Sequence, residues 1–363
     1  MNKIRCVSGF KKQRQHHQQT GAALLAAMLT VTLVATFAAA ALWQQWRSTE
    51  VESAERARVQ SAWILTGALD WARLILREDA RTGGADHLAE PWAVPLNEAR
   101  LSSFLTIDKS NTGGVQSEDG DTFLSGQITD LQGRLNVTNL IDGVTLSEPD
   151  LLSFGRLFEL LDLSADQLAT FSGKLLEAAK AGPQTGSTKN SPNPLNPLNP
   201  ANPPNPPNPP NPPNPQTPLM PQRIDELVWL GLSAETLVKL TPFITLLPAR
   251  TSVNLNTASA EVIYATTKGL EMADAQKLVA ARDRSHFRTL ADPKQVLGAT
   301  PVVFTDGVHS VASRFFEVRG RLRLDQTIVQ VRSMVQRDGL NVRTLWSERG
   351  VVSDSPEIVS PRP

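Results

Sequence analysis

Cysteine is nearly absent from this chain of 363 residues, in which Cys6 is the single one. A disulfide scaffold and a cysteine-based metal cluster are therefore excluded. The five histidines are scattered, which argues against a site built from several histidine ligands. An excess of one charge is also missing, because 36 basic residues face 36 acidic ones. This balance excludes a generally basic nucleic-acid-binding protein.

Familiar catalytic signatures are missing as well. The sequence contains no HExxH, GxSxG, P-loop or GxGxxG motif. Carboxylate pairs such as Asp70 and Asp79 can be chosen, but the surfaces of helices present such pairs routinely. We therefore expect a protein that is not an enzyme.

Proline is unevenly distributed, since sixteen of the 26 prolines fall between Pro183 and Pro221. Repeats of Asn-Pro-Leu and Asn-Pro-Pro fill this tract, and Lys189 is its one charged residue. Proline lacks the backbone N–H and fixes φ, so the tract cannot form a helix or a sheet. We predict an extended, disordered loop over residues 183–221, up to roughly 120 Å long when stretched. A ligand for a proline-reading partner is the alternative interpretation.

A long apolar run lies near the amino terminus. Residues 1–21 contain five basic residues and no acidic one, and Ala22 to Trp43 then pass without a charge. A helix of this run is about 33 Å long, enough to cross a bilayer core. The basic flank predicts a cytoplasmic amino terminus, with the chain beyond Gln44 on the other side of the membrane.

The position of Gly21 separates this run from an ordinary secretory signal, whose cleavage site follows the apolar core. Here the glycine precedes the core, which predicts a prepilin leader cut between Gly21 and Ala22 with the apolar helix retained. A plain uncleaved anchor is the alternative. Loss of the five basic leader residues would leave 31 basic and 36 acidic residues, a net charge of −5, and no cysteine. Such a chain suits an oxidising compartment.

Beyond the membrane run, the helix continues as an amphipathic one. An apolar stripe spaced by three and four residues ends before Gly83-Gly84. Its members are Ala62, Leu65, Leu69, Ala72 and Leu76.

Strand patterns flank a helical middle. The stretch 123–136 predicts a first strand with a turn at Gln132-Gly133. Alternation from Phe316 to Leu324, with Glu317 among the charged residues on the solvent side, predicts a second. A third strand beyond Asp325-Gln326 and a fourth over 342–346 follow, joined by a turn at Asp338-Gly339. Residues between the first two strands read as helices, and Asn256 or Thr257 can cap one of them.

Five short motifs, in this order, resemble the minor pseudopilin K family of type II secretion. The match extends from Gly21 to about Gly350, without the proline tract. The motifs are Asp70-Trp71-Ala72-Arg73, Leu76-Arg77-Glu78-Asp79, the stretch 86–93, the stretch 128–136 and the stretch 253–258.

The resemblance implies an α+β fold, in which a type IV pilin-like long amino-terminal helix packs on a small antiparallel sheet. A large all-α domain, SAM-like or helix-hairpin-helix-like, is inserted into this sheet. The expected segments are the leader 1–21, the transmembrane and stalk helix 22–82, the first sheet part 83–147, the inserted domain 148–310, the carboxy-terminal strands 311–349 and a flexible tail 350–363.

The resemblance also implies a function. Family members are non-enzymatic subunits at the tip of the periplasmic pseudopilus, anchored in the bacterial inner membrane by a single pass. Minor pseudopilins I and J, the other pseudopilins of the fibre, prepilin peptidase and the inner-membrane secretion platform are the expected partners, with secreted cargo as a further candidate. Prepilin peptidase would cut the chain and methylate the new amine.

Ala26 stands at the fifth mature position, where most pilin-like helices have a glutamate. In the family, that glutamate is thought to neutralise the amino terminus of the neighbour nearer the tip. A subunit without this neighbour would bury an unpaired charge in lipid, which is costly. Ala26 therefore favours a tip position, although alanine is also simply a good apolar helix residue.

Two further interpretations stay open. The helices around Thr267 to Glu271 resemble a helix-hairpin-helix module, so a membrane-tethered DNA-binding receptor is the alternative function. Residues 251–300 hold six basic and five acidic residues, a balance that disfavours nucleic acid. The acidic cluster Glu118, Asp119 and Asp121 is a candidate calcium site, because the resemblance implies calcium, while a solvated loop is the favoured interpretation.

Overall fold

The computed structural model describes residues 20–101, 122–181, 218–298, 301–324 and 327–351. The chain divides into two compact units, Met1–Ala62 and Trp63–Pro363. In the first unit, the described residues belong to helix α1, which runs Thr20–Thr82. Its apolar side chains there are exposed, and the described residues contain one helix long and apolar enough to cross a membrane.

The threonines of the apolar run explain how it tolerates hydroxyl groups. Thr30, Thr32 and Thr36 donate hydrogen bonds to the carbonyl oxygens of Ala27, Leu29 and Leu33, at 2.9, 2.9 and 2.8 Å. Each hydroxyl is thus satisfied inside the helix, so that burying it in lipid does not leave an unpaired donor.

In the second unit, five strands form one antiparallel sheet in the order β1-β2-β9-β10-β11. The edge strands are therefore β1 and β11. The bounds are β1 Leu96–Arg100, β2 Thr122–Asp130, β9 Phe315–Leu324, β10 Thr327–Asp338 and β11 Asn341–Val351.

The predicted stripe of α1 covers one face of this sheet. Leu65, Ala72 and Leu76 are at most 4% exposed and pack among apolar side chains of the sheet. A Cβ added at Gly320 would lie 3.3 Å from the Leu65 side chain, so the glycine allows the helix a close approach. Gly83, with φ +65°, follows the end of α1, as the sequence predicted.

The inserted domain occupies the chain between β2 and β9 and has its own apolar core around Phe154, Phe158 and Phe171. The short strands within it pair in parallel as β3 with β6 and β7 with β8, and antiparallel as β4 with β5. Its helices are α2 Glu148–Leu160, α3 Ala165–Ala181, α4 Ala234–Leu240, α5 Ala260–Thr266, α6 Met272–Arg282 and α7 Asp292–Leu297. Its strands are β3 Leu135–Asn136, β4 Ile141–Asp142, β5 Thr145–Leu146, β6 Ile244–Thr245, β7 Val253–Asn254 and β8 His309–Ser310.

The α+β class is confirmed, but several details differ from the sequence expectation. Strand β1 and the two-residue strands of the insert were not predicted. The predicted turn at Gln132-Gly133 is confirmed: β2 ends at Asp130, whose side chain accepts a hydrogen bond from Gln132 N, and a 3-10 turn over Leu131–Gly133 separates it from β3. Strand β11 runs to Val351, into the predicted tail.

Glu317 is the clearest correction, because the alternation predicts it on the solvent side and the structure buries it at 2% exposure. Alternation along β9 assigns Glu317 correctly to the face away from α1. The inserted domain, which is distant in sequence, covers that face at this point.

Candidate functional site

The predicted processing residues Gly21 and Ala22, and Ala26 at the fifth mature position, lie in the first turns of α1 and are exposed. Nothing in the described residues tests cleavage, so the roles of these three residues stay predictions. The rest of the candidate site lies where the inserted domain joins the sheet.

The inserted domain leaves the sheet and returns to it at one point, since Asp130 of β2 pairs with Phe316 of β9. The Asp130 carboxylate is buried and accepts from Asn254 Nδ2 at 3.0 Å, Thr257 Oγ1 at 2.6 Å and Ser313 Oγ at 2.6 Å. Burial raises the pKa of Asp130, while the hydrogen bonds from Ser313 and Thr257 act to lower it. One carboxylate thus ties the sheet to both ends of the segment 254–313.

Arg337 of β10 makes a second tie at the same junction. Its guanidinium donates to the carboxylates of Asp79 and Asp86 and to the Ser313 carbonyl at 2.8 Å. Asp86 also accepts from Ser313 N at 2.6 Å. Burial raises the pKa of Asp86, and Arg337 acts against this rise. The last turn of α1, the loop after it and β10 are therefore held together by one buried cation.

We call these residues the polar junction: Asp79, Asp86, Asp130, Asn254, Thr257, Ser313 and Arg337. Five of them come from the motifs that marked the family resemblance, so the structure brings together motifs that lie as far as 178 residues apart in the sequence. Ser313 and Arg337 were missed, because no local pattern distinguishes a buried arginine from a surface one.

Three carboxylates near the junction approach one another, with ligand atoms of Asp79, Asp86 and Glu90 within 4.8 Å. Arg337 already donates to the first two, and Glu90 accepts from Trp92 Nε1 at 2.7 Å. Ca²⁺ requires six to eight oxygen ligands free of such a cation, so this cluster does not fit calcium. The predicted ligands Glu118, Asp119 and Asp121 lie outside the described residues.

Buried asparagines hold the loops beside the junction. Asn256 accepts from Phe287 N at 2.8 Å and donates to Phe287 O at 2.9 Å, as a strand neighbour would. It therefore does not cap the next helix, contrary to the sequence expectation; Ser259 does, through its hydroxyl and Val262 N. The prediction failed because Thr257 and Ser259, which follow Asn256, also favour an N-cap. The helix begins after Ser259, the later of the two.

The helix-hairpin-helix turn is engaged within the protein. Arg156 of α2 donates to the carbonyl oxygens of Thr267 and, at 3.0 Å, of Leu270, and it stacks over the Tyr264 ring at 4.3 Å. Gly269 has φ +78°, as a tight turn requires. The turn thus faces α2 with its carbonyls bound by a cation, an arrangement that serves packing inside the insert.

A long amino-terminal helix, an antiparallel sheet and a helical domain inserted between two paired strands define a pilin-like subunit with an extra domain. Comparison with solved structures agrees. The chain is similar to a chain in the crystal structure of the GspK-GspI-GspJ complex from the enterotoxigenic Escherichia coli type 2 secretion system. The TM-score is 0.53 and the identity 19%, over 82% of this chain and 98% of that one.

Sequence comparisons are more specific. Residues 253–311 match the family model of type II secretion system protein K. The chain is 24% identical to type II secretion system protein K of Pseudomonas aeruginosa over 341 residues, 92% of this chain and 93% of the relative. The predicted resemblance to the K family is thereby confirmed. Together, these similarities support a minor pseudopilin of type II secretion, with the apolar helix as a fitting single-pass anchor.

Proposed function

We propose that this chain caps the tip of the periplasmic pseudopilus of a type II secretion system and initiates its assembly for export of folded proteins. The main support is the place of the insert. Residues 131–314 depart from the sheet beside the end of α1, where Arg337 holds Asp79. A domain inserted into the sheet at this point would obstruct a further subunit stacked on it.

Ala26 supports the same position by its chemistry. A tip subunit has no neighbour above it whose new amino terminus needs a carboxylate. A glutamate at this position would then remain unpaired in lipid. Alanine avoids that cost.

The remaining parts of the proposal follow from the family. Prepilin peptidase cuts between Gly21 and Ala22, the amino terminus starts in the cytoplasm and the second unit lies in the periplasm. Minor pseudopilins I and J are the direct partners, and other pseudopilins, the inner-membrane platform and cargo are further ones. Glu118, Asp119 and Asp121 stay candidate calcium ligands, with a solvated loop as the favoured interpretation. The similar crystal structure supports the choice of direct partners, because it is a complex of GspK with GspI and GspJ.

The DNA-receptor alternative has less support, because residues 251–300 hold six basic and five acidic residues and lack the excess positive charge that DNA binding requires. It predicts salt-dependent DNA binding, whereas the pseudopilin proposal predicts none beyond nonspecific levels.

The amino-terminal mass of the chain from native membranes is the first test. A start at Ala22 supports processing, and retention of Met1 contradicts the pilin interpretation. Co-purification with I-like and J-like pseudopilins tests the assembly.

The tip position needs a separate experiment. The processed chain would have no cysteine, so a single Leu340→Cys at the exposed β10–β11 turn gives a clean crosslinking probe. Crosslinks between copies of this chain along a fibre shaft would contradict the tip position. Crosslinks confined to other subunits at one fibre end would support it.

A further inference from the structure

A cavity of about 390 Å³ lies on the face of the sheet turned away from α1, between the strands and the inserted domain. In its wall, Glu317 has 3% of its side chain exposed and accepts from Arg319 Nε at 2.5 Å and from Arg332 Nε at 2.6 Å. The lining holds three acidic and three basic residues. Because these charges balance, the cavity favours a ligand of neither sign.

A pair of histidines elsewhere in the second unit can respond to acid. His87, in the loop after α1, stacks on His286 of the inserted domain, with the ring centres 3.8 Å apart and the ring planes 9° from parallel. Both residues are partly buried. The stack is therefore a direct contact between this loop and the inserted domain, next to the polar junction.

The residues beside both histidines are anchored. On one side, Asp86 accepts a hydrogen bond from the Arg337 guanidinium. On the other, Phe287 exchanges two hydrogen bonds with Asn256, at 2.8 and 2.9 Å. Because the backbone is fixed on each side, the two rings can separate only when their side chains turn towards water.

The hydrogen bonds around His87 define its protonation state. Its Nδ1 accepts from Ala89 N at 3.2 Å, so this nitrogen carries no proton and the ring is neutral. Glu90 accepts from His87 N at 2.9 Å and belongs to the same turn. A proton added to Nδ1 would remove the acceptor for Ala89 N. The turn and the stack therefore both require neutral His87.

Charged groups face the two rings from several segments. They are Asp79, Asp86, Glu90, Asp292 and Arg288. Burial lowers the pKa of His87 and outweighs the nearby carboxylates. Burial also lowers the pKa of His286, and the closeness of His87 lowers it further. Both rings are therefore neutral at pH 7 and take up protons only in acid.

The two protons are not equivalent. After the first, one ring is still neutral, and a cation can stack on an aromatic face. The second would place two positive charges in contact, and like charges disfavour each other's ionised form. The unfolded chain binds both protons near pH 6.5, so the stack stabilises the fold above that pH. This contribution is lost as the pH falls through the lowered folded values.

We propose that His87 and His286 form a pH-sensitive clasp between the loop after α1 and the inserted domain, closed while both rings are neutral and open once both carry a proton. The clasp is independent of the proposed function, since it follows from the stack and the bonds around it. It makes this contact between the loop and the insert depend on the acidity of the compartment.

The first test is the titration of His286 in the full chain in detergent micelles, followed by NMR of ¹³C-labelled histidine. His87→Asn removes the ring but keeps a side-chain acceptor for Ala89 N. We expect this variant to raise the pKa of His286, because the ring that opposes its proton is gone. His309→Gln is the matched control, since His309 contacts Thr267 instead, and it should leave the titration of His286 unchanged.

The second test is a double-mutant cycle with His87→Asn, His286→Ala and the double variant, measured by guanidinium denaturation. At about pH 7.5, the coupling should favour the folded state about fivefold in the unfolding equilibrium constant. At about pH 4.5, it should vanish or change sign. His309 is present in all four proteins, so its own titration cancels.

Two results would overturn the proposal: the same titration of His286 with and without the His87 ring, or the same coupling at both pH values. The second would make the stack a packing contact without a response to acid. His286→Phe keeps the cycle decisive where the alanine variant does not fold. A phenyl ring cannot take up a proton and can stack on the His87 imidazolium, so this variant should keep the contact in acid. An acid opening that persists in His286→Phe would also contradict the clasp.

Discussion

Two buried carboxylates on neighbouring strands are stabilised in different ways. Asp130 in the polar junction is surrounded by neutral donors from two separate segments, with Asn254, Thr257 and Ser313 all within 3.0 Å. Glu317 in the cavity wall is paired with two arginines whose side chains remain about half exposed. The first site is closed and fully used, whereas the second is an ion pair in the wall of an open cavity.

This difference separates a closed polar site from an ion pair that solvent can reach. In the polar junction every group has its partner inside the protein, so a ligand could enter only by breaking bonds. In the cavity wall, by contrast, water can reach the arginines that pair with Glu317, because about half of each side chain is exposed. Burial of a charged residue is therefore not informative alone; the balance of donors and acceptors around it decides what it can do.

The largest effect should come from Asp130→Ala, which removes the acceptor shared by the three donors. Buried donors left without a partner should cost roughly 4 kcal/mol of unfolding free energy in total. Guanidinium denaturation of the full chain in detergent, followed by tryptophan fluorescence, measures this loss. Asp142→Ala, at an exposed position, is the matched control and should change stability by about 0.5 kcal/mol or less. Similar values for the two variants would refute the closed-junction interpretation.

The next prediction concerns the pH dependence of stability that His309, a buried residue of the inserted domain, should produce. Burial lowers the pKa of His309 to about 4, and its ring contacts the Thr267 hydroxyl, Thr305 N and Phe304. The unfolded chain binds this proton near pH 6.5, so His309 makes stability fall as the pH drops from about 6.5 towards 4, by about 3 kcal/mol in total. We expect His309→Gln to lack this part of the pH dependence. Parallel stability curves for the two proteins between pH 7.5 and 4.5 would contradict the expectation.

Glu317→Gln should cost less than Asp130→Ala. Glutamine keeps one acceptor for the arginines, and their half-exposed side chains can turn towards water. We expect a loss of about 2 kcal/mol at pH 7. Because the folded pKa of Glu317 is lowered, its contribution is present above about pH 4.5 and is lost as the pH falls through the folded value. The wild type and the variant should therefore converge in acid; a constant difference down to pH 3 would disprove ionisation of Glu317.

Sequence patterns predicted what depends on neighbours along the chain. The stripe from Leu65 to Leu76 and the turn after Asp338 follow from spacing and local chemistry, and both are confirmed. The motifs containing Asp130 and Asn254 could be recognised from the sequence, but the hydrogen bond that joins these two residues could not be predicted. Gly133 illustrates this, since a Cβ there would lie 3.0 Å from the Thr257 backbone, 124 positions away.

The cavity could not be predicted, for a physical reason. Alternation along β9 says on which face Glu317 lies, but only the folded insert decides whether water reaches that face. Arg337 reads as an ordinary surface arginine for the same reason. Its burial depends on segments that are distant in sequence, and burial turns a solvated charge into a structural tie.

The smallest effect should come from the rim of the cavity, where Arg223 pairs with Glu348 at 2.9 Å. Both side chains are about half exposed, and a solvent-screened pair of this kind contributes about 0.5 kcal/mol or less. Arg223→Gln should therefore leave the denaturation midpoint nearly unchanged, and about 0.5 M salt should not alter the result. A loss comparable with that of Glu317→Gln would mean that the rim is closed in solution. The contrast between the open cavity and the closed polar junction would then fail, because the charged residues of both sites would contribute to the stability of the fold.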